Sequence, residues 1–291
     1  MSAFALLLVL TGAVCHAVWN AVAKKASGGA PFVFLYGMVS VAAALPFAAW
    51  MWVVHRPEFG AAMWSAVIAS AVVHVLYSLV LQTAYRASDF AIVYPVARGS
   101  GPMLAVVAAV LLLGEKPSVL GWFAVAAILT GVLISAGITR TLQSDARRRQ
   151  IGALWGMATG AFIATYTIID GWAIKGLRMD PLVFYVSGLV LRLVLQAPFA
   201  LRSRPAVAAL RQEWRVDRRA IVAVGILSPV AYTLVLFAVQ RAPVSYVAPV
   251  REISMLIGTL IGARVLHETV KPEQFAGAAI MLCGVAGLAW A

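Results

Sequence analysis

Ten apolar blocks follow one another along the chain, at about 4–23, 31–54, 62–84, 90–113, 118–138, 151–174, 181–201, 218–240, 244–266 and 272–290. A helix that crosses a bilayer needs about 20 apolar residues, because the hydrocarbon layer is about 30 Å thick and a helix rises about 1.5 Å per residue. Most links between the blocks are short, which makes neighbouring helices antiparallel hairpins. The chain therefore reads as an all-α membrane protein with ten transmembrane helices. Composition agrees. Of 291 residues, 63% are hydrophobic and 12% charged, against about half and about a quarter in a soluble domain. A mean hydropathy of +0.92 exceeds what one buried core under a polar shell produces. A soluble enzyme, a disordered chain and a disulfide-stapled secreted domain are excluded.

The blocks fall into two similar halves, residues 1–139 and 151–291, joined by a basic linker at 140–150 that holds Arg147, Arg148 and Arg149. Pro31-Phe-Val-Phe opens span two, and Pro181-Leu-Val-Phe opens span seven. Pro46-Phe47 matches Pro198-Phe199. Tyr77 stands nine residues before Arg86, as Tyr232 does before Arg241, and the strings LVLQTAYRA and LVLFAVQRA align without a gap. PVAR, ending at Arg98, matches PVR, ending at Arg251; each arginine precedes a glutamate, Glu115 or Glu268, by 17 residues. Apolar sequence yields single matches by chance, but not this order at one period. Five spans per half is an odd number, so the halves insert upside down relative to each other. Such a 5+5 inverted repeat is a mark of secondary transporters, whose substrate sites lie near the midplane between the repeats.

The same residues carry a resemblance. Trp19, Asn20 and Lys24 in span one and the turn Gly114-Glu115…Pro117 look like the EamA-like branch of the drug/metabolite transporter superfamily, over nearly the whole chain. That resemblance implies export or exchange of small metabolites, often amino acids or related compounds. The second half departs from the pattern: His267-Glu268 replaces Gly-Glu, and Arg251-Glu252 enters span nine.

The net charge of +12 does not read as nucleic-acid binding, because the basic residues lie in short loops rather than on a basic helix. The loops after spans one, three, five, seven and nine hold about 15 Lys and Arg residues, against about 5 on the opposite side, and cytoplasmic loops carry such an excess. The basic side is expected to be cytoplasmic and both termini outside, in the plasma membrane (the inner membrane of a bacterium). The N-terminus lacks the basic region of a signal peptide and reads as the first span. Cys15 and Cys283 lie in apolar stretches far apart and read as packing residues. Several of the nine tryptophans, such as Trp50, Trp122 and Trp290, stand near span ends, as interfacial anchors do.

An ionisable side chain within a span costs at least about 2.5–3.5 kcal/mol, so each one calls for a reason. Arg98 and Arg251 lie about two turns inside spans four and nine, and Arg192 lies near the middle of span seven. Two readings stand open. The arginines can line a central cavity and hold an anionic group, for which the guanidinium fork is suited. Alternatively each ties down backbone carbonyls or pairs with Asp170, Glu252, Glu115 or Glu268. His16 and Asn20 share a face of span one, and Tyr166 and Asp170 share the matching face of span six at a shift of 150; repeat-related polar faces fit a pseudo-symmetric cavity. Tyr77, Tyr232 and His74 join them as candidate substrate contacts. Asp170, then Glu252, is the candidate proton carrier. The string PVARGSGP, Pro95 to Pro102, is expected to bend or break span four. Gly152, Gly156 and Gly160, and Gly258 with Gly262, have the spacing of close helix approach.

The four histidines show no metal-binding spacing, and no nucleophile elbow, phosphate loop or dinucleotide loop occurs. No catalytic residue, metal or cofactor is expected. The chain reads as a secondary transporter of a small amino-acid-like, anionic or zwitterionic metabolite, in the export direction, with the bilayer and protons as further partners and a monomer or homodimer as its assembly. Efflux of cationic or aromatic drugs is the alternative; a membrane-embedded enzyme or scaffold stands well behind both.

Overall fold

The structure is a computed structural model that describes residues 1–24, 26, 29–56, 59–137, 146–265 and 271–291. Among the described residues all regular structure is helical: α1 (Ala3–Lys24), α2 (Ala30–His55), α3 (Ala61–Ala87), α4 (Phe90–Leu112), α5 (Val119–Ser135), α6 (Ala146–Gly171), α7 (Pro181–Ala200), α8 (Arg204–Val239), α9 (Val244–Arg251), α10 (Ile253–Val265) and α11 (Pro272–Trp290). A π-helical turn, Trp172–Gly176, continues α6. Nine of these segments, counting α9 and α10 as one span, are long and apolar enough to cross a membrane. The tenth, α5, has 17 residues, about 26 Å of helix.

Local chemistry sets the helix starts. The Ser118 hydroxyl accepts the Gly121 N–H at 3.0 Å and opens α5. The Asp180 carboxylate accepts the N–H groups of Leu182 and Val183 at 2.9 and 3.0 Å, and Pro181 supplies the preset φ of a first helical residue. Gly114, at φ +68°, makes the left-handed turn that follows α4.

Exchanging the halves (α1 for α6, α2 for α7, α3 for α8, α4 for α9–α10, α5 for α11) maps the main helix contacts onto themselves. α1 packs on α8 as α6 packs on α3; α1 packs on span nine as α6 does on α4; α2 packs on α8 as α7 does on α3. The pairs α2–α7, α4–α9 and α5–α11 are their own images. This is the pseudo-two-fold of a 5+5 inverted repeat. Both termini lie at one end, where the Met1 amine donates to the Leu288 carbonyl at 2.8 Å. The large apolar core also lies toward that end, built around Val9, Val67, Ala109, Phe184, Leu236 and Val244. At the opposite, basic end a small cluster of Phe32, Ile221 and Val224 joins α1, α2 and α8. Among the described residues the terminal end thus holds the larger apolar core.

Three sequence expectations need correction. α4 runs unbroken through Pro95 and Pro102, whereas span nine breaks at Glu252, between α9 and α10. Pro249 cannot donate within α9, and its ring crowds the carbonyl four residues back. Span eight begins 14 residues earlier than the apolar block at 218: α8 starts at Arg204 and has 36 residues, with a non-helical Asp217 (φ −114°, ψ 20°) inside it. The charged stretch 204–217 looked like loop because its arginines hide a helical period. Finally, the two glycine series differ. A Cβ on Gly156 would stand 2.7 Å from the Val96 Cβ, and one on Gly160 2.9 Å from the Gly101 backbone nitrogen, so α6 lies directly on α4. Gly258 has nothing within 4 Å of its would-be Cβ and makes no such contact. α5 and α11 meet through Gly131 and Gly277, whose would-be Cβ atoms lie 2.6 and 2.5 Å from each other's carbonyl oxygens.

Candidate functional site

Asp170, on the last turn of α6, is 2% exposed. Its two oxygens face different helices. Oδ1 accepts the Ser70 hydroxyl of α3 at 2.6 Å, and Oδ2 accepts the Tyr232 hydroxyl of α8. Buried carboxylates persist only with such partners. Both donors are neutral, and among the described residues no cation forms an ion pair with Asp170. One donor comes from each half of the chain, so this carboxylate ties the repeats together.

A second buried carboxylate lies at the break in span nine. Glu252 is 1% exposed. Its Oε2 accepts from the Arg98 guanidinium of α4 at 2.9 Å, and its Oε1 stands 3.8 Å from the Arg251 guanidinium. The Arg98 side chain keeps 24% exposure and Arg251 12%. The two repeat-related arginines therefore share one carboxylate. Each was open to pairing with any of four acidic residues; of these, Glu252 is the partner for both.

Aromatic rings pack against one another beside Asp170 and its partner Tyr232. The His74 imidazole stacks on Tyr166 with centroids 4.1 Å apart and meets Tyr232 edge-on at 5.9 Å. Tyr77 meets Tyr166 at 5.7 Å, and Tyr185 lies against Tyr232 at 4.9 Å. The Arg192 guanidinium lies 5.2 Å from the Tyr185 ring centre, and its Nε donates to the Gly188 carbonyl of its own helix at 3.2 Å; Arg98 lies likewise over Tyr94 at 5.5 Å. Cation–π contacts of this kind stabilise a guanidinium out of bulk water by about 0.5–2 kcal/mol. Asp170 and Arg251 both line one cavity of about 10 Å³, with Thr167, Tyr232, Val244 and Val247. That is near the smallest volume that holds a water molecule. The site holds three guanidiniums (Arg98, Arg192, Arg251) and two carboxyl groups (Asp170, Glu252).

The structure thus gathers Arg98, Arg251 and Glu252 at one point and Asp170, Tyr166, Tyr232, Tyr77 and His74 around another. His16 and Asn20 share a face of α1, but the Asn20 amide donates to the His16 carbonyl at 2.7 Å, and His16 meets Trp19 edge-on. The Asn20 amide nitrogen is thus engaged within α1, whereas Asp170 bonds to two other helices. Sequence reasoning missed Ser70, Tyr185 and Tyr94. A serine in an apolar helix gives no sign of a partner 100 residues away. It also missed what Glu115 does. From the turn after α4, the Glu115 carboxylate accepts the Val244 and Ser245 N–H groups at 2.7 and 2.9 Å and pairs with Lys175 at 3.3 Å. It caps α9, where a negative charge is favoured by the helix dipole. His267, Glu268 and residues 138–145, the last six of them in the linker, lie outside the described residues. Among the described residues no three His, Cys, Asp or Glu side chains gather as a metal site.

The fold is shared with a protein of known crystal structure at a TM-score of 0.74 and 16% identity, the match covering 100% of this chain and 98% of the other. At that identity the likeness shows the fold alone. The sequence itself matches one family twice, over residues 3–137 and 150–290, once in each half of the contact pattern described above. The chain belongs to the EamA-like transporter family, and is accordingly a multi-pass membrane transporter of the drug/metabolite transporter superfamily.

Proposed function

We propose that the protein exports a zwitterionic, amino-acid-like metabolite across the plasma membrane by alternating access, with Asp170 as proton carrier. The observation that carries this reading is the cavity onto which Asp170 and Arg251 both face. A carboxylate and a guanidinium across one cavity match the ammonium and carboxylate of an amino acid. In its present size the cavity admits no such solute, so loading requires α6, α8 and α9 to part. The large described core toward the terminal end supports a closed outer side and entry from the basic side, which the excess of Lys and Arg assigns to the cytoplasm; both termini then lie outside.

The mechanism follows from the bonds present. The incoming carboxylate replaces Glu252 as partner of Arg251 and Arg98, and the released Glu252 frees the break between α9 and α10 to move. Protonation turns one oxygen of Asp170 from acceptor to donor, so the hydroxyl of Ser70 or Tyr232 must turn its hydrogen aside and accept instead; a charge-assisted bond becomes a weaker neutral one, which loosens α3 or α8 from α6. Substrate and proton thereby act on the same helix contacts from two sides. His16, Asn20, Tyr77, Tyr166, Tyr232 and Arg192 complete the proposed cavity once it opens.

A second reading has its own observation. Asp170 sits among Tyr166, Tyr185, Tyr232 and His74 with no cationic partner among the described residues, as a site for aromatic cations would. Binding separates the two. Purified, monodisperse protein should bind zwitterionic amino acids more tightly than tetraphenylphosphonium, and Arg98→Gln and Arg251→Gln should each weaken that binding about tenfold to a hundredfold, the worth of a charge-assisted hydrogen bond. Lys at either position should weaken it less. Wild-type affinity in both folded Gln variants would reduce the arginines to scaffold, and tighter binding of the organic cation would install the second reading.

A further inference from the structure

The basic, N-terminal part of α8 takes no part in the site above. Its length decides where it lies. The 36 residues of α8 would run about 54 Å if straight, far beyond the hydrocarbon layer of about 30 Å. Arg218–Val239 alone accounts for about 33 Å. The segment 204–216 therefore lies outside the hydrocarbon, and the departure from helical geometry at Asp217 is where it can turn along the membrane surface. The segment is amphipathic: Leu210 is buried, while Arg204, Arg211 and Arg215 are exposed. Such helices bind at the interface through an apolar face and basic flanks.

Between this segment and α2 runs a groove of about 290 Å³, lined by Leu35, Leu210, Trp214 and the stems of Arg211 and Arg215. Arg211 and Arg215 stand at i and i+4, on one face, and among the described residues neither pairs with a carboxylate. Trp214, 41% exposed, lies beside them as an indole does at headgroup depth. Leu35 lies five residues into α2, about 8 Å along the span. The groove therefore leads from two guanidiniums at headgroup level to an apolar floor at acyl-chain level. We infer that this groove between α2 and the start of α8 is a binding site for an anionic phospholipid, its phosphate held by Arg211 and Arg215 and its acyl chain lying over Leu35 and Leu210. A free phosphate would fit the arginines and leave the apolar floor empty. An acidic soluble protein would reach the arginines but not Leu35.

The test is native mass spectrometry of the purified full-length protein, titrated with phosphatidylglycerol and phosphatidylcholine of matched chains. Wild-type protein should favour phosphatidylglycerol about tenfold to thirtyfold, as two interfacial arginines provide. The doubly substituted Arg211→Gln/Arg215→Gln protein should bind both lipids alike, and Arg211→Lys/Arg215→Lys should keep most of the preference. Arg147→Gln/Arg149→Gln removes the same charge from the same end and should leave the preference unchanged; an equal loss there would mean that bulk charge, not this groove, selects the lipid, and would overturn the assignment. So would a wild-type protein without preference, or competition by glycerol phosphate as effective as by the intact lipid. The reading stands apart from the transport mechanism, since none of these residues lies near Asp170 or Glu252 in the contacts above.

Discussion

α4 and the broken span α9–α10 hold matched places in the two halves, and they have opposite characters. α4 keeps its helix through two prolines; α9 ends after one. The neighbouring helices account for this. α6 lays Gly152, Gly156 and Gly160 along α4 and presses it straight. At the same repeat shift of 150, α1 has Leu6 and Leu10 in place of Gly156 and Gly160, so it lacks the small residues that let a neighbour come close. The arginines are matched as well, but Gly99 follows Arg98 where Glu252 follows Arg251. A Cβ on Gly99 would overlap the Leu133 side chain of α5, so a longer side chain there would have to displace that leucine. Asn20 stands where Asp170 does, and Gly225, packed on Val39 and the Tyr36 carbonyl, stands where Ser70 does. Both buried carboxylates come from the second half; the first half supplies Ser70 and Arg98 to meet them. Duplication explains the frame, and the charges depart from it.

The largest effect is expected where that asymmetry is erased. Asp170→Asn gives the second half the residue of the first. It keeps the shape, and still accepts one hydrogen bond, but cannot carry a proton. Accumulation driven by an imposed pH gradient in proteoliposomes should fall by about a hundredfold or more, which is about 2.7 kcal/mol, while substrate counterflow remains in part. Gradient-driven accumulation at the wild-type rate would remove Asp170 from the coupling, and wild-type transport indifferent to the gradient would remove the coupling itself.

Next in size is the carboxylate shared by the two arginines. Glu252→Gln leaves Arg98 and Arg251 facing each other without a counter-charge. Breaking a fully buried pair costs about 3–5 kcal/mol; with Arg98 at 24% exposure, solvent shares the load and about 2–3 kcal/mol is expected, seen as a lowered unfolding midpoint. In a double-mutant cycle, Arg98→Gln added to Glu252→Gln should recover part of the loss. Strict additivity would show that the 2.9 Å contact carries no energy.

How much of this was legible in the sequence differs by type of feature. Spans, halves and inversion could be read because an apolar block about 20 residues long has one economical fate in a bilayer. The cost of burying charge also marked Asp170, Glu252, Arg98 and Arg251 as special. Their pairing could not be read. Arg98 had four acidic candidates, and only the break at Glu252, with α4 alongside, selects one. Ser70 was invisible because a hydroxyl in an apolar helix ordinarily bonds its own backbone, as Ser78 and Thr83 do here. The helical start of α8 was hidden because its arginines read as a loop signal, while the period carrying Leu210 toward α2 is only two to three turns long.

The glycines of α6 test the packing side of the comparison. Gly160→Ala places a methyl group 2.9 Å from the Gly101 nitrogen and against the Ser100 side chain. Ser100 can rotate, but the Gly101 backbone can move only with α4. Overpacking of this kind costs about 1–3 kcal/mol, so the purified variant should melt lower and, if α4 is pushed aside, break at Pro95–Pro102 as span nine does. An unchanged melting temperature would mean that α6 does not press on α4.

The smallest effect belongs to the matching span of the second half. Gly258 has the same i,i+4 partner spacing, with Gly262, as the α6 series, and from sequence the two looked alike. In α10, however, its would-be Cβ meets nothing within 4 Å. There Ala adds no overlap and removes backbone freedom from the unfolded chain, a gain of about 0.5–1 kcal/mol in a helix interior. Gly258→Ala should therefore melt at or slightly above the wild-type temperature and bind substrate normally. A destabilised Gly258→Ala variant would show that α10 makes a close contact through this face in some other state of the transport cycle, in which span nine is pressed as α4 is pressed here; the difference between the halves would then belong to one conformation rather than to the sequence.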